Sequence, residues 1–127
     1  MKNVLLLIGA LFLVPFAMQA QTIEFSDDFE SGLDNWVLEG TWGLTTAESN
    51  SPDNSLTDSP GGIYTNNLDI SATLATGIDL SSALDATLTF SAIYDIEGGN
   101  FDFVFVEASP DGGATWVNIA TFLGEGN

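Results

Sequence analysis

From residue 24 onward, apolar and polar positions alternate in short runs, and clusters of Gly, Asn, Asp, Ser and Pro cut those runs apart. No stretch sustains the 3.6-residue apolar spacing of an amphipathic helix. A two-residue period broken by turn residues predicts an all-β, antiparallel chain. The segment FSDDFESGLDNWVLEGTWGL separates its aromatics with acids and glycines. SATLATGIDL predicts a strand over 71–80, and ATLTFSAIYDI predicts one over 86–96. In the latter, Leu88, Phe90, Ala92 and Tyr94 share one face, and Thr87, Thr89, Ser91 and Ile93 share the other. FDFVFVEAS is apolar on both faces, with Phe101, Phe103 and Phe105 opposite Val104, Val106 and Ala108. Such a strand is expected to be central and covered above and below, or to line a groove on one side. SPDGGATW then reads as a hairpin turn and TWVNIATF as its returning strand. The last hairpin is followed only by LGEGN, a turn composition, so the sandwich predicted over 21–127 is expected to lack covering strands at its C-terminal side.

The opening residues have a different character. Met1-Lys2 is a short positive region, Val4–Phe16 is an apolar run, and Ala17-Met18-Gln19-Ala20 offers small residues for cleavage. This is the pattern of a secretory signal peptide over 1–20, too short and too poorly flanked for a membrane span. The mature chain is therefore expected to be secreted or exposed at the cell surface, without a membrane span.

Composition then narrows the chemistry. Lys2 is the only basic residue against 18 acidic ones, and the chain has no His and no Cys. After cleavage no basic side chain remains. Nucleic acid is excluded as a partner, because nothing neutralises phosphates. Anionic membrane surfaces are excluded for the same reason. Triads and dyads built on His, Cys or Lys cannot form, nor can zinc sites built on His or Cys. Carboxylate-pair chemistry alone remains open to it. The natural counter-ion of this surface is a hard cation, with calcium foremost; the alternative is that the acids serve solubility only.

Four segments taken in order, DDFESGLDNW, SLTDSPGGIYTNN, GIDLSSALDATLTFSAIYDIE and FDFVFVEASPDGGATWVNIATF, resemble a known family. It is the MAM-like, concanavalin-like jelly-roll module appended to secreted bacterial proteases and surface proteins, as in immune-inhibitor-A-type metalloproteases and subtilisin-like proteases. The resemblance covers most of residues 24–123. It implies an antiparallel jelly-roll β-sandwich, a structural calcium, and further strands beyond the Thr115-Trp116 hairpin. The absence of cysteine sets the chain apart from the animal branch. On this resemblance the chain is read as a partial, non-catalytic accessory domain of a larger secreted protease or surface protein.

Candidate sites follow from both lines. In Asp27-Asp28-Phe29-Glu30, an extended backbone puts Asp28 and Glu30 on one side and sends Phe29 to the core. A cation relieves the repulsion between the two acids, and the resemblance implies Glu30 as a calcium ligand; a solvated first strand is the alternative. Asp53, Ser55 and Thr57 start like an EF-hand loop, but Asp58 stands where that loop needs glycine and Tyr64 where it needs glutamate. The SLTDSPGGIYTNN loop reads as a structured connection, with Asp58 organising the turn, Gly61-Gly62 reversing the chain and Tyr64 docking on the sandwich. A cation held by Asp58 and turn carbonyls, or contact with a ligand, are its alternatives. Trp36, Trp42, Tyr64, Tyr94 and Trp116 are core aromatics or a sugar-stacking platform. Asp95 and Glu97, beside Gly98-Gly99, form a hairpin loop or a polar contact for a sugar or metal. The expected function is adhesion or substrate targeting, with calcium and a polysaccharide or extracellular protein as partners. A carbohydrate-binding module and a structural spacer are the alternatives.

Overall fold

The computed structural model describes residues 21–126; the expected signal peptide lies outside the described residues. Among them there is no helix, and hence none long and apolar enough to cross a membrane. Eight short strands form: β1 Trp36–Leu38, β2 Gly43–Thr45, β3 Ser55–Thr57, β4 Ala72–Leu74, β5 Tyr94–Asp95, β6 Val104–Ala108, β7 Val117–Phe122 and β8 Glu125–Gly126. They pair as four antiparallel ladders, β1–β4, β2–β3, β5–β8 and β6–β7. Among the described residues these ladders neither merge into one sheet nor close a barrel, so the chain is all-β and antiparallel without the continuous sheets of a jelly roll.

The best-formed unit is the one whose pattern is clearest. β6 and β7 pair from Val104↔Phe122 to Ala108↔Val117, with a bulge between Val106 and Glu107. Their turn is set by Asp111, whose carboxylate accepts hydrogen bonds from the Thr115 amide (2.8 Å), the Thr115 hydroxyl (2.7 Å) and the Ser109 hydroxyl (2.9 Å). Gly112 and Gly113 take φ of 72° and 92°, a region in which a Cβ is strained. The expected hairpin is therefore present, with an acid as its organiser.

β1 and β4 pair through Trp36↔Leu74, Val37↔Thr73 and Leu38↔Ala72. Two flanking bonds, Glu39 N–H to Ser71 C=O and Ala75 N–H to Asn35 C=O, both 2.8 Å, extend the ladder beyond its ends. The strand expected over 71–80 thus narrows to Ala72–Leu74. Gly77 and the polar turn after it end the pairing.

Two expectations are corrected. The 86–96 strand is hydrogen-bonded only at Tyr94–Asp95. The preceding stretch runs without turn or bend and lies exposed, and among the described residues it has no ladder partner. β6 is not central either: among the described residues its one neighbour is β7, and of its two expected roles the one that stands is lining a groove, through Val104 and Val106. Val104 and Val106 are half-buried, while Phe101 and Phe105 are 71% and 54% exposed, and Phe103 and Phe105 stack on each other at 5.7 Å.

No described residue is fully buried. Two-stranded ladders are marginal alone in water, and each large side chain left in solvent forgoes roughly 1.5–3 kcal/mol of burial. The chain from Gln21 to Asn127 is expected to bind a hydrophobic dye and to melt without a sharp calorimetric transition. A dye-silent monomer with a cooperative melt would contradict this.

Candidate functional site

The acidic opening is a turn, not the extended strand its alternation suggests. The Asp27 carboxylate accepts the Phe29 amide at 2.8 Å, a two-residue bridge that bends the backbone. Phe29 takes φ of 64°, and Gly32 N–H returns to its carbonyl at 3.4 Å. The other Asp27 oxygen accepts Asn35 Nδ2 (3.0 Å) and Trp36 Nε1 (2.9 Å). The Trp36 ring lies 5.9 Å from Phe29 and 6.4 Å from Phe25. Phe29, expected in the core, is instead half-buried against Trp36, on a turn that Asp27 holds. Burial raises the Asp27 pKa; the bonds from Asn35, Phe29 and Trp36 outweigh it and leave the group below its ordinary range.

Glu30 does not share its environment with Asp28. Asp28 Oδ1 accepts the Glu30 amide at 3.2 Å, on the surface. The Glu30 carboxylate reaches across to the 51–54 loop. Its Oε1 accepts the Asp53 amide (3.0 Å), the Asn54 amide (2.8 Å) and the Ser51 hydroxyl (2.9 Å), and its Oε2 accepts Asn54 Nδ2 (2.9 Å). Ser51 Oγ also lies 2.6 Å from the Asn54 carbonyl, so its single proton serves one acceptor at a time. The Asp53 and Asn54 amides, ahead of the side-chain donors, pull the Glu30 pKa down to about 2. This clip joins the first turn to the β2–β3 connection, more than twenty residues away.

The SLTDSPGGIYTNN loop is a structured connection. Its first residues are β3, paired with β2. The Asp58 carbonyl accepts the Thr41 hydroxyl, and the Asp58 carboxylate accepts the Ser59 hydroxyl at 2.8 Å. Gly62 N–H closes the turn on Ser59 C=O at 2.9 Å, with Gly62 at φ 123°. Tyr64 docks as expected, and its anchors are specific. Its hydroxyl donates to Asp102 Oδ2 at 2.7 Å and accepts the Glu97 amide at 3.0 Å. The bond to Asp102, foremost among its neighbours, holds the phenol above its usual range.

Tyr64, Tyr94, Asp95, Glu97 and Asp58 all border one groove of about 690 Å³. Leu56 of β3 and Trp42 form one wall; Val104, Val106 and Phe122 of the β6–β7 hairpin form the other. Tyr94 packs on Phe122 at 5.2 Å and Phe90 meets the same ring edge-on at 6.0 Å. Asp28 and Glu30 stand apart from this groove. Among the described residues no group of three or more His, Cys, Asp or Glu is placed to hold a metal ion. Asp27 belongs to the acid cluster picked out by pattern; Ser51, Asn54 and Asp102 do not stand out in the sequence. For Ser51 and Asn54 the Ser51-Pro52-Asp53-Asn54 turn composition is the one available signal.

The Glu30 clip makes a pH-dependent prediction. A folded pKa of about 2 against an ordinary 4.5 means that the clip contributes fully above 4.5 and is lost as pH falls toward 2; Asp27, also depressed, adds in the same direction. The amide resonances of Asp53 and Asn54 should follow this titration. Glu30→Gln removes the charge and should abolish that titration and loosen the 51–54 loop, whereas Glu107→Gln should leave both unchanged. Asp53 and Asn54 amides that ignore pH in this window would remove the clip.

No protein-family model, curated protein or solved structure matches the chain; what the site does has to come from its residues.

Proposed function

We propose that the chain is a secreted, non-catalytic accessory module of a larger protease or surface protein, a jelly-roll sandwich in its complete form, that serves adhesion or substrate targeting through the groove beside Tyr64 and Tyr94. One observation carries this reading. Two tyrosines and three acids, scattered over residues 58–97, border a single apolar-walled groove. Ring faces suit the C–H surfaces of a sugar, and carboxylates suit its hydroxyls. The acids repel anionic ligands, so a neutral polysaccharide fits better than an anionic one. The sequence resemblance to MAM-like modules supports the accessory role. A non-catalytic role is supported by a mature chain without His, Cys, Lys or Arg.

Calcium belongs to this reading as a stabiliser of the acidic surface. Asp28, Glu30 and Asp58 are its sequence candidates. Glu30 already has four hydrogen-bond donors, which favours the clip at that position over a cation. Asp28 and Asp58, more lightly occupied, are the better places to look.

Affinity electrophoresis against a panel of neutral polysaccharides tests the groove. Tyr94→Ala should weaken retention about three- to tenfold, the size of one aromatic contact. Trp116→Ala, outside the groove, should not. A panel with no retention at all would favour the spacer. Millimolar calcium at matched ionic strength should suppress dye binding relative to EDTA, and Asp58→Asn should blunt that effect; equal dye binding in both buffers would remove calcium. Protease and glycosidase substrates should read at background, and turnover lost on a single Asp or Glu substitution would overturn the non-catalytic assignment.

A further inference from the structure

Carboxylate acceptors are in excess in this chain, so a buried donor without an acceptor stands out. Trp42 carries one. Its indole Nε1 is buried and, among the described residues, is the one such side-chain atom without a hydrogen-bond partner. The other two tryptophans differ: Trp36 donates to Asp27 at 2.9 Å, and Trp116 is 47% exposed. Buried donors that make no bond are rare in folded chains, and each calls for a partner. An acceptor is near in the fold. Trp42 directly precedes β2, and the register Gly43↔Thr57 brings it alongside Asp58. The Asp58 carboxylate takes the Ser59 hydroxyl instead.

Trp42 and Asp58 both border the groove of Tyr64 and Tyr94. We propose, building on the sugar-binding role of this groove, that the Trp42 N–H sets its specificity by donating to the carbonyl of an acetamido group on a neutral glycan. The carboxylates of Asp58, Asp95 and Glu97 only accept, and the Tyr64 proton is committed to Asp102. A sugar hydroxyl placed against Trp42 brings a proton of its own, which must also be bonded once it is buried. An amide carbonyl brings none. The methyl beside it suits the apolar side chains of Leu56, Val104 and Val106, and the N–H of the same amide suits a carboxylate. Nε1 is closed to solvent in the free groove, so the indole turns toward the groove as the carbonyl enters.

The probes are N-acetylchitotetraose and cellotetraose, neutral glycans with the same backbone linkage that differ in carrying an acetamido group or a hydroxyl on each ring. Each is titrated into the chain with its indoles labelled with nitrogen-15, and affinity and indole shifts are read from the same spectra. The Trp42 signal is assigned by its loss in Trp42→Phe, which keeps a flat apolar ring and removes the N–H. Trp116→Phe, outside the groove, is the control.

The acetylated glycan should bind about tenfold more tightly than its hydroxyl counterpart, the size of one hydrogen bond to a buried donor. It should also move the Trp42 indole proton downfield. Trp42→Phe should bring the ratio of the two affinities close to one, and Trp116→Phe should leave the ratio as it is. The indole shift is read on the unsubstituted chain, so it decides the matter even where Trp42→Phe does not fold. Two glycans that bind alike, and that both weaken in Tyr94→Ala, overturn the acetamido assignment and leave the sugar-binding groove in place. A preference for the acetylated glycan that survives Trp42→Phe, or that leaves the Trp42 indole signal unmoved, also overturns the assignment alone. Binding of neither glycan overturns the assignment and counts against the sugar-binding groove itself.

Discussion

Eighteen carboxylates and no basic side chain after residue 20 leave neutral N–H and O–H groups as the side-chain and backbone donors within the fold. The local structure follows from that constraint. Asp27 takes an amide, a carboxamide and an indole; Glu30 takes two amides, a hydroxyl and a carboxamide; Asp111 takes an amide and two hydroxyls. Each acid becomes the organiser of a turn, because turns are where backbone N–H groups lack ladder partners. Hydrogen bonds to an ionised acceptor are stronger than neutral ones, so an acid does this better than an amide would. The dense acidity is thus partly structural, and its cost appears at low pH, where protonation removes acceptors from several turns together.

The same constraint explains which parts were legible in the sequence. The β6–β7 hairpin was, because its alternation and its Pro-Asp-Gly-Gly turn are local and agree with each other. The Tyr64 loop was legible as a structured turn, but its anchors at Asp102 and Glu97 were not, since they come from distant positions. The acidic opening misled. Alternation of Asp28, Phe29 and Glu30 fits a strand, yet the Asp27 side chain competes with any ladder for the Phe29 amide and bends the chain. A two-residue period says which side chains would share a face if the backbone were extended. It does not say that a partner strand exists.

That distinction bears on β5 as well. The 86–96 pattern reads as a strand, but among the described residues only Tyr94 and Asp95 are paired in a ladder, and the residues before them run without turn or bend. Pattern reads the strand; hydrogen bonding needs a neighbour. The same holds for Phe101, Phe103 and Phe105, whose apolar face was expected to be covered and instead meets solvent and one another.

The groove and the open strand are linked through Phe90. Its ring rests on Phe122, and so it ties the Thr87–Ala92 edge to the wall that Tyr94 shares. Immobilising Phe90 would, through Phe122, fix the wall on which Tyr94 lies. A groove lined by side chains that keep their rotamer freedom pays that entropy on binding, about 0.5–1.5 kcal/mol for each one immobilised. Holding Phe90 in place would therefore sharpen the groove without adding a contact to its ligand. Tyr64 needs no such help, because Asp102 and the Glu97 amide already hold its hydroxyl from two sides. Of the two tyrosines, one is held by hydrogen bonds to its own neighbours, and the other by packing on Phe122, a ring it shares with the exposed Phe90.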